Sequence, residues 1–235
     1  MTNSELTQST CPATTSYGYD RNGNLASKNV ASSQWTYTWD VPGDLLKVTN
    51  NSIVQGYYAY DGLGRRIEAK EGSSTTFYAY TSTETLADEY SFAPANDYVY
   101  ASGLRIARVN GGQSTNPTVT YFHTDSLGST RLVTSATKKI LFSDTYLPYG
   151  QDNTATGSET YKFTGKPYSV TTGLYYYFQR RCDPSIGRFI SVDLAALLYL
   201  IRKLVRRGGK KIARMVTNPV GPPMDDRLPP NACHP

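Results

Sequence analysis

The sequence predicts an all-β protein made of repeated hairpins, and three observations carry that reading. Aromatic content is concentrated in tyrosine, 20 Tyr beside 7 Phe and 2 Trp, and tyrosine suits a pleated surface with one apolar and one wet face. The 19 Gly and 13 Pro, with frequent Asn and Asp, supply turns throughout the chain. The chain also repeats itself: "YGYDRNGNLASK" from Tyr17, "YTWDVPGDLLKV" from Tyr37 and "YYAYDGLGRRIEAK" from Tyr57 share the order aromatic, any, aromatic, Asp, two residues, Gly, apolar return.

Taken in order, residues 1–16 contain no basic stretch followed by an apolar one, so no signal peptide is expected there. They read as a disordered or strand-forming lead-in. From 17 to 120 each unit reads as one hairpin. Aromatics at alternate positions face the same side of a strand, Asp accepts a local backbone hydrogen bond, and Gly three residues on takes the left-handed conformation of a tight turn. The frame persists in degraded form, with Thr81 in the Asp position of "FYAYTSTETLA" and Ala101 in that of "YVYASGLRIARV"; Asp125 and Gly128 restore it in "YFHTDSLGSTRLV". No unit buries its aromatic face alone, so neighbours must pair into one sheet.

Asp20, Asp40 and Asp61 stand singly, so they are assigned to their turns rather than to calcium or to acid–base chemistry. The tyrosines are assigned to packing ahead of stacking on sugars. His123 has no neighbouring Cys, His or carboxylate pair and reads as a packed strand residue.

Residues 121–193 carry "YFHTDSLGSTRLVTSA", "FSDTYLPYG" and "YKFTGKPYSVTTGLYYYFQRRCDPSIGRFISVD". With the preceding repeats, these segments resemble the tyrosine-aspartate (YD) repeats and the repeat-associated core of the Rhs family, over most of residues 17–193. The resemblance implies a β-sheet shell, related to Tc toxin components, cell-wall-associated proteins and teneurins, that encloses a C-terminal polypeptide. It also implies an extracellular or cell-surface location. In bacterial members the enclosed polypeptide is usually a toxin, released by self-cleavage at an aspartate pair. Asp193 matches the first aspartate of that pair, but Leu194 follows it in place of Pro and no second Asp-Pro-x-Gly comes after it. Asp183 and Arg180 match positions of the segment before it, with Arg181 and Cys182 in place of aromatics. The candidate catalytic set is therefore Asp193, Asp183 and Arg180, half of a cleavage site. The milder departures, Ser126 for His and Leu147 for Asp, leave the turns intact.

From Leu194 the period changes. Leu194, Leu197, Leu198, Ile201, Leu204 and Val205 recur at helical spacing opposite Arg202, Lys203, Arg206 and Arg207. A basic amphipathic helix is expected over 194–216, with Asp193 as its N-cap, followed by a disordered proline-rich tail over 217–235.

Charge divides at the same place: residues 1–193 carry 16 Lys and Arg against 17 Asp and Glu, and residues 194–235 carry 8 against 2. The body is not basic enough to suggest a nucleic-acid partner, and only 194–216 suggests peripheral membrane contact. Cys11, Cys182 and Cys233 are too few and too scattered for a metal site or disulfide framework, so neither metal nor cofactor is expected. The functional expectation is a structural piece of a larger shell or surface scaffold, without catalysis of its own, whose partner is its own C-terminal polypeptide or the rest of the shell. The alternatives are an autoproteolytic core and a module binding cell-surface glycans.

Overall fold

A computed structural model describes residues 8–9, 14–81, 86–90, 95–111 and 114–193. Fifteen strands form one antiparallel sheet in chain order: β1 (Gln8–Ser9), β2 (Thr15–Tyr19), β3 (Leu25–Val30), β4 (Ser33–Trp39), β5 (Leu45–Asn50), β6 (Ile53–Tyr60), β7 (Arg66–Glu71), β8 (Ser74–Tyr80), β9 (Leu86–Tyr90), β10 (Asn96–Ala101), β11 (Leu104–Asn110), β12 (Thr118–Thr124), β13 (Thr130–Ser135), β14 (Ile140–Ser143) and β15 (Thr156–Gly157). A second antiparallel sheet holds β16 (Tyr168–Ser169), β17 (Leu174–Tyr177), β18 (Arg180–Asp183) and β19 (Arg188–Phe189). Two single 3-10 turns, Pro148–Gly150 and Phe163–Gly165, lie between them. The expected all-β architecture is what the chain adopts. The basic helix expected over 194–216 and the tail after it lie outside the described residues.

Two kinds of turn alternate along the meander. At one end the repeat aspartate organises the loop: Asp20 Oδ1 accepts from the N–H groups of Asn22 and Asn24 at 2.8 and 2.9 Å, while the Gly23 N–H donates to the Asp20 carbonyl. Asp40, Asp61 and Asp125 do the same work in their loops. At the other end the β3–β4, β5–β6 and β7–β8 links are two residues long, and Asn51 and Ser52 both have positive φ, the geometry that matches the twist of a tight hairpin; at the aspartate end, the unit with Ala101 in the Asp position closes in the same way through Ser102 and Gly103. The strands entering the aspartate-type loops share a further device. The ladder slips by one residue between Gly18 and Tyr19, Thr38 and Trp39, Ala59 and Tyr60, and Ala79 and Tyr80, so the second aromatic of each unit sits at a bulge. Pairing resumes as Tyr19 with Leu25, Trp39 with Leu45, Tyr60 with Arg66 and Tyr80 with Leu86.

Over β2–β7 one face of the large sheet is buried because the second sheet lies on it, and Phe122, Val133 and Phe142 of β12–β14 form a separate buried cluster. Tyr17, Leu25, Tyr37, Leu45, Val48, Tyr58 and Ala69 share a core with Leu174 and Ile190. A fully buried Leu contributes roughly 1.5–3 kcal/mol through removed apolar surface. Polar contacts fix the register between layers: the Leu25 N–H donates to the Ile190 carbonyl at 2.8 Å, Arg181 Nη2 donates to the Tyr60 hydroxyl at 2.8 Å, and the Arg66 N–H donates to the Tyr176 hydroxyl at 2.9 Å. The run Leu174, Tyr175, Tyr176 is buried without alternation. It is covered on both sides: Tyr176 meets Arg66 and Arg181, while Tyr175 stacks on Tyr168 at 4.8 Å and lies edge-on to Phe163.

His123 corrects one expectation. Alternation along β12 turns Phe122 into the core and therefore His123 outward, where its Nε2 lies 3.1 Å from Thr134 Oγ1.

Candidate functional site

The three candidate residues lie on and just after the second sheet. Arg180 and Asp183 are the first and last residues of β18, and their odd separation sends the side chains to opposite faces of the strand. Asp183 is buried. Its Oδ2 accepts from Lys28 Nζ at 2.7 Å, and its Oδ1 accepts from the Ser185 N–H at 2.9 Å and from the Ser185 hydroxyl. The carboxylate thus ties β3 to the Asp-Pro-x-x-Gly turn, which closes through the Ile186 N–H to the Asp183 carbonyl and turns at Gly187 with φ 62°. Asp193 pairs instead with Arg180, Oδ2 to Nη1 at 3.1 Å, in a half-exposed contact, and the same guanidinium stacks on Phe189 with Cζ 3.8 Å from the ring centroid.

An aspartate dyad divides acid and base work between two carboxyl groups that share a proton at about 3 Å. Here each aspartate has its own cation: Asp183 has Lys28, and Asp193 has Arg180. The structure joins Arg180 with Asp193 and leaves Asp183 in a different set of contacts.

Beside Asp183 opens a cleft of about 520 Å³, walled by Trp35, Tyr37 and Tyr168 and edged by Lys28 and Asp152. Asp152 accepts from Lys162 Nζ at 2.6 Å. Cys182, on β18 beside these groups, is buried and unpaired; burial first, then the Asp183 charge, pushes its thiol up to about 11, which makes it a poor nucleophile at neutral pH.

Sequence reasoning missed a second set of charged residues, buried among tyrosines. The Arg66 guanidinium lies 4.3 Å from the Tyr176 centroid and 4.4 Å from that of Tyr78, and Arg181 lies 4.2 Å from Tyr58 and 4.6 Å from Tyr176. Arg105 lies 3.5 Å from Tyr161 and 4.7 Å from Tyr98. A guanidinium over a desolvated ring face is held by the ring quadrupole. Burial pushes the Tyr78 hydroxyl up to about 12, against the lowering effect of Arg66, so it remains a neutral donor. The available sequence signal was the arginine itself: Arg66 pairs with the second aromatic of its unit, a register position held by Leu25 and Leu45 in the units before it.

Residues 5–212 match the family model described as the teneurin YD-shell. The chain is 28% identical over 192 residues to the tRNA3(Ser)-specific nuclease WapA of Bacillus spizizenii, a match covering 76% of this chain and 8% of that protein. It is 26% identical to double-stranded DNA deaminase toxin A of Burkholderia cenocepacia, covering 87% of this chain and 16% of the toxin. Among solved structures, the crystal structure of TcdB2-TccC3-TEV superposes with a TM-score of 0.54 at 21% identity, over 77% of this chain and 12% of that one. TcdB2-TccC3 without its hypervariable C-terminal region gives 0.53 at 20% identity, with the same coverage. The chain thus spans under a fifth of the length of each of these proteins, and the structural likeness establishes the fold.

Proposed function

This chain belongs to the teneurin YD-shell family, and from that premise we propose that it is a structural segment of a shell that encloses the polypeptide following it. The observation that carries the proposal is the pairing of the two sheets. A meander with one repeated bulge grows by adding hairpins, and over β2–β7 its aromatic face is buried by the sheet formed from residues 168–189. Such a sheet serves as a wall, and its two end strands, β1 and β15, are where further wall would join. By analogy with the nuclease and the deaminase toxin, the enclosed polypeptide is a toxin and the place of action is outside the producing cell or at its surface. The segment itself supplies enclosure and no chemistry.

Trypsin tests this directly, because residues 194–235 carry eight Lys and Arg. In the intact chain these sites are expected to be cut at least about tenfold more slowly than in a synthetic peptide of the same residues, since cleavage requires an open, accessible backbone. Equal rates would refute enclosure.

A self-cleaving core is the competing reading, supported by the contact between Asp193 and Arg180 immediately before Leu194. Intact mass of the purified chain beside Asp193→Asn decides it: one unprocessed species in both is expected, because each aspartate is engaged by its own cation. A shorter product from the parent chain that Asp193→Asn abolishes would establish the enzyme instead. Glycan binding rests on the aromatic walls of the cleft formed by Trp35, Tyr37 and Tyr168, and an empty glycan array removes it.

A further inference from the structure

A second cleft, of about 350 Å³, lies where the loop 164–167 and β17 meet the aspartate-loop end of β7–β13. Its charged lining residues are Arg66, Arg105 and Lys166, and no carboxylate lines it among the described residues. The neighbouring acids are already engaged: Glu71 accepts from the Tyr58 hydroxyl at 2.6 Å, and Glu89 accepts from the hydroxyls of Tyr98 and Tyr161. Among the described residues none of the three cations is in an ion pair, and the Nε atoms of Arg66 and Arg105 are buried without a hydrogen-bond partner. Arg66 is 4% exposed.

The repeat shows that this charge is not required by the hairpin. The residue that resumes pairing after the bulge is Leu25, Leu45 and Leu86 in three units, Thr130 in one, and Arg66 and Arg105 in two. Leucine at this register position needs no partner, whereas a buried guanidinium must be compensated: the tyrosines around Arg66 and the Glu71 charge hold it in its charged form, and Arg105 donates to the Tyr100 hydroxyl at 3.0 Å and to the Gly165 carbonyl at 3.4 Å, which leaves the two Nε–H groups unmet. Both arginines border one cleft, and Lys166 joins them from the opposite layer. Burial, and then the nearby Arg105, lower the pKa of Lys166. Three like charges are therefore held together against their mutual repulsion.

We propose that this cleft binds a carboxylate side chain of a polypeptide held against this face, the arginines forking its oxygens and Lys166 closing over it. The planar guanidinium matches a carboxylate in bidentate fashion. A polypeptide source is favoured over a small free anion by the rim. Leu104 and Leu127 are 41% and 69% exposed there, and Phe178 and Tyr80 line the walls; these surfaces suit the residues flanking an acidic side chain and offer nothing to inorganic phosphate. At 350 Å³ the cleft is near the lower end of the range for ligand sites, enough for one side chain and its flanking backbone. The inference rests on the shell reading for the origin of the polypeptide.

The test is titration calorimetry of the full chain with acetyl-Ala-Leu-Glu-Leu-Ala-amide, the same peptide with Gln for Glu, and inorganic phosphate. The Glu peptide is expected to bind about tenfold more tightly than the Gln peptide, and Arg105→Gln and Lys166→Gln are each expected to weaken it about tenfold, the loss of one charge-assisted contact. Lys139→Gln, on an exposed turn, should leave it unchanged. Lys166→Gln keeps the test valid if Arg105→Gln fails to fold, because the Lys166 ammonium takes part in no ion pair among the described residues and rests only on Tyr177 and Phe178. Equal affinity for the two peptides, or binding undiminished by Lys166→Gln, overturns the site; phosphate binding without peptide binding overturns the polypeptide source. A negative result with residues 194–235 still protected from trypsin removes the cleft alone, whereas loss of that protection in the parent chain removes the shell reading.

Discussion

Asp44→Asn should stabilise the protein at neutral pH, and the repeat supplies the reason. The residue four positions after each loop aspartate lies beside that aspartate's carboxylate. In the first unit Asn24 Nδ2 donates to Asp20 Oδ2 at 3.0 Å, and in the third Arg65 Nε donates to Asp61 Oδ2 at 2.7 Å. In the second unit the same position is Asp44, which is 9% exposed and faces Asp40. Burial first, then the Asp40 charge, raise its pKa from the ordinary value of 3.8 to about 6, and Arg181 offsets only part of this. A carboxylate with a raised folded-state pKa holds its proton more tightly in the folded than in the unfolded chain, so stability falls as pH rises from about 4 to about 6. At about 1.36 kcal/mol per pH unit the full cost at pH 7 is about 3 kcal/mol; allowing for relaxation, about 2 kcal/mol is expected. Asparagine removes the charge, keeps the backbone N–H that donates to Asp40 Oδ1 at 2.7 Å, and supplies the donor that Asn24 already uses. Thermal melts followed by circular dichroism should show Asp44→Asn about 4–8 °C above the parent at pH 7. The two should melt together near pH 3.5, where Asp44 is protonated in both states. A gain that persists undiminished at pH 3.5, or no gain at pH 7, would refute the electrostatic argument.

Two further outcomes follow from local geometry. Gly157→Ala should cost about 2 kcal/mol or more in urea unfolding, because φ is 74° there and a Cβ would collide with the Leu141 carbonyl across the β14–β15 pair; Gly72→Ala, also at positive φ but with open space around it, should cost only about 1 kcal/mol. Equal losses would show that β15 is not held against β14. Peptide mapping after iodoacetamide at pH 7.5 should find Cys182 unmodified in the folded chain and alkylated in urea, since its thiol is buried and pushed up to about 11. Rapid modification of the folded chain would contradict the packing of β18.

The hairpins were legible because each is specified locally. The aspartate, the glycine three residues later and the alternating aromatics lie within about eight residues, and the loops of Asp20, Asp40, Asp61 and Asp125 close as that pattern requires. The layer that covers them was not legible in the same way, because its contacts join distant residues: Lys28 reaches Asp183 across 155 positions, and Arg66 reaches Tyr176 across 110. For the same reason Asp183 and Asp193 look like a pair along the chain, ten residues apart. A strand separates them in space, and each meets a cation that the local pattern does not identify. His123 was misplaced by a smaller omission, the failure to carry the alternation one residue beyond Phe122.

The same distinction explains why the arginine cleft escaped notice. A repeat comparison treats a position as tolerant when its residue varies, and Leu25, Leu45, Arg66, Leu86, Arg105 and Thr130 look like drift at one such position. Structure gives the variation a cost. Replacing a buried leucine with a cation sacrifices apolar burial and requires compensation, which the tyrosine faces provide only in part, because a quadrupole does not satisfy an N–H. Random drift would scatter such substitutions over the sheet. Here the two arginines border one cleft, opposite a lysine from the covering layer. Degeneracy in the repeat is therefore informative wherever the departing residue is more expensive than the one it replaces.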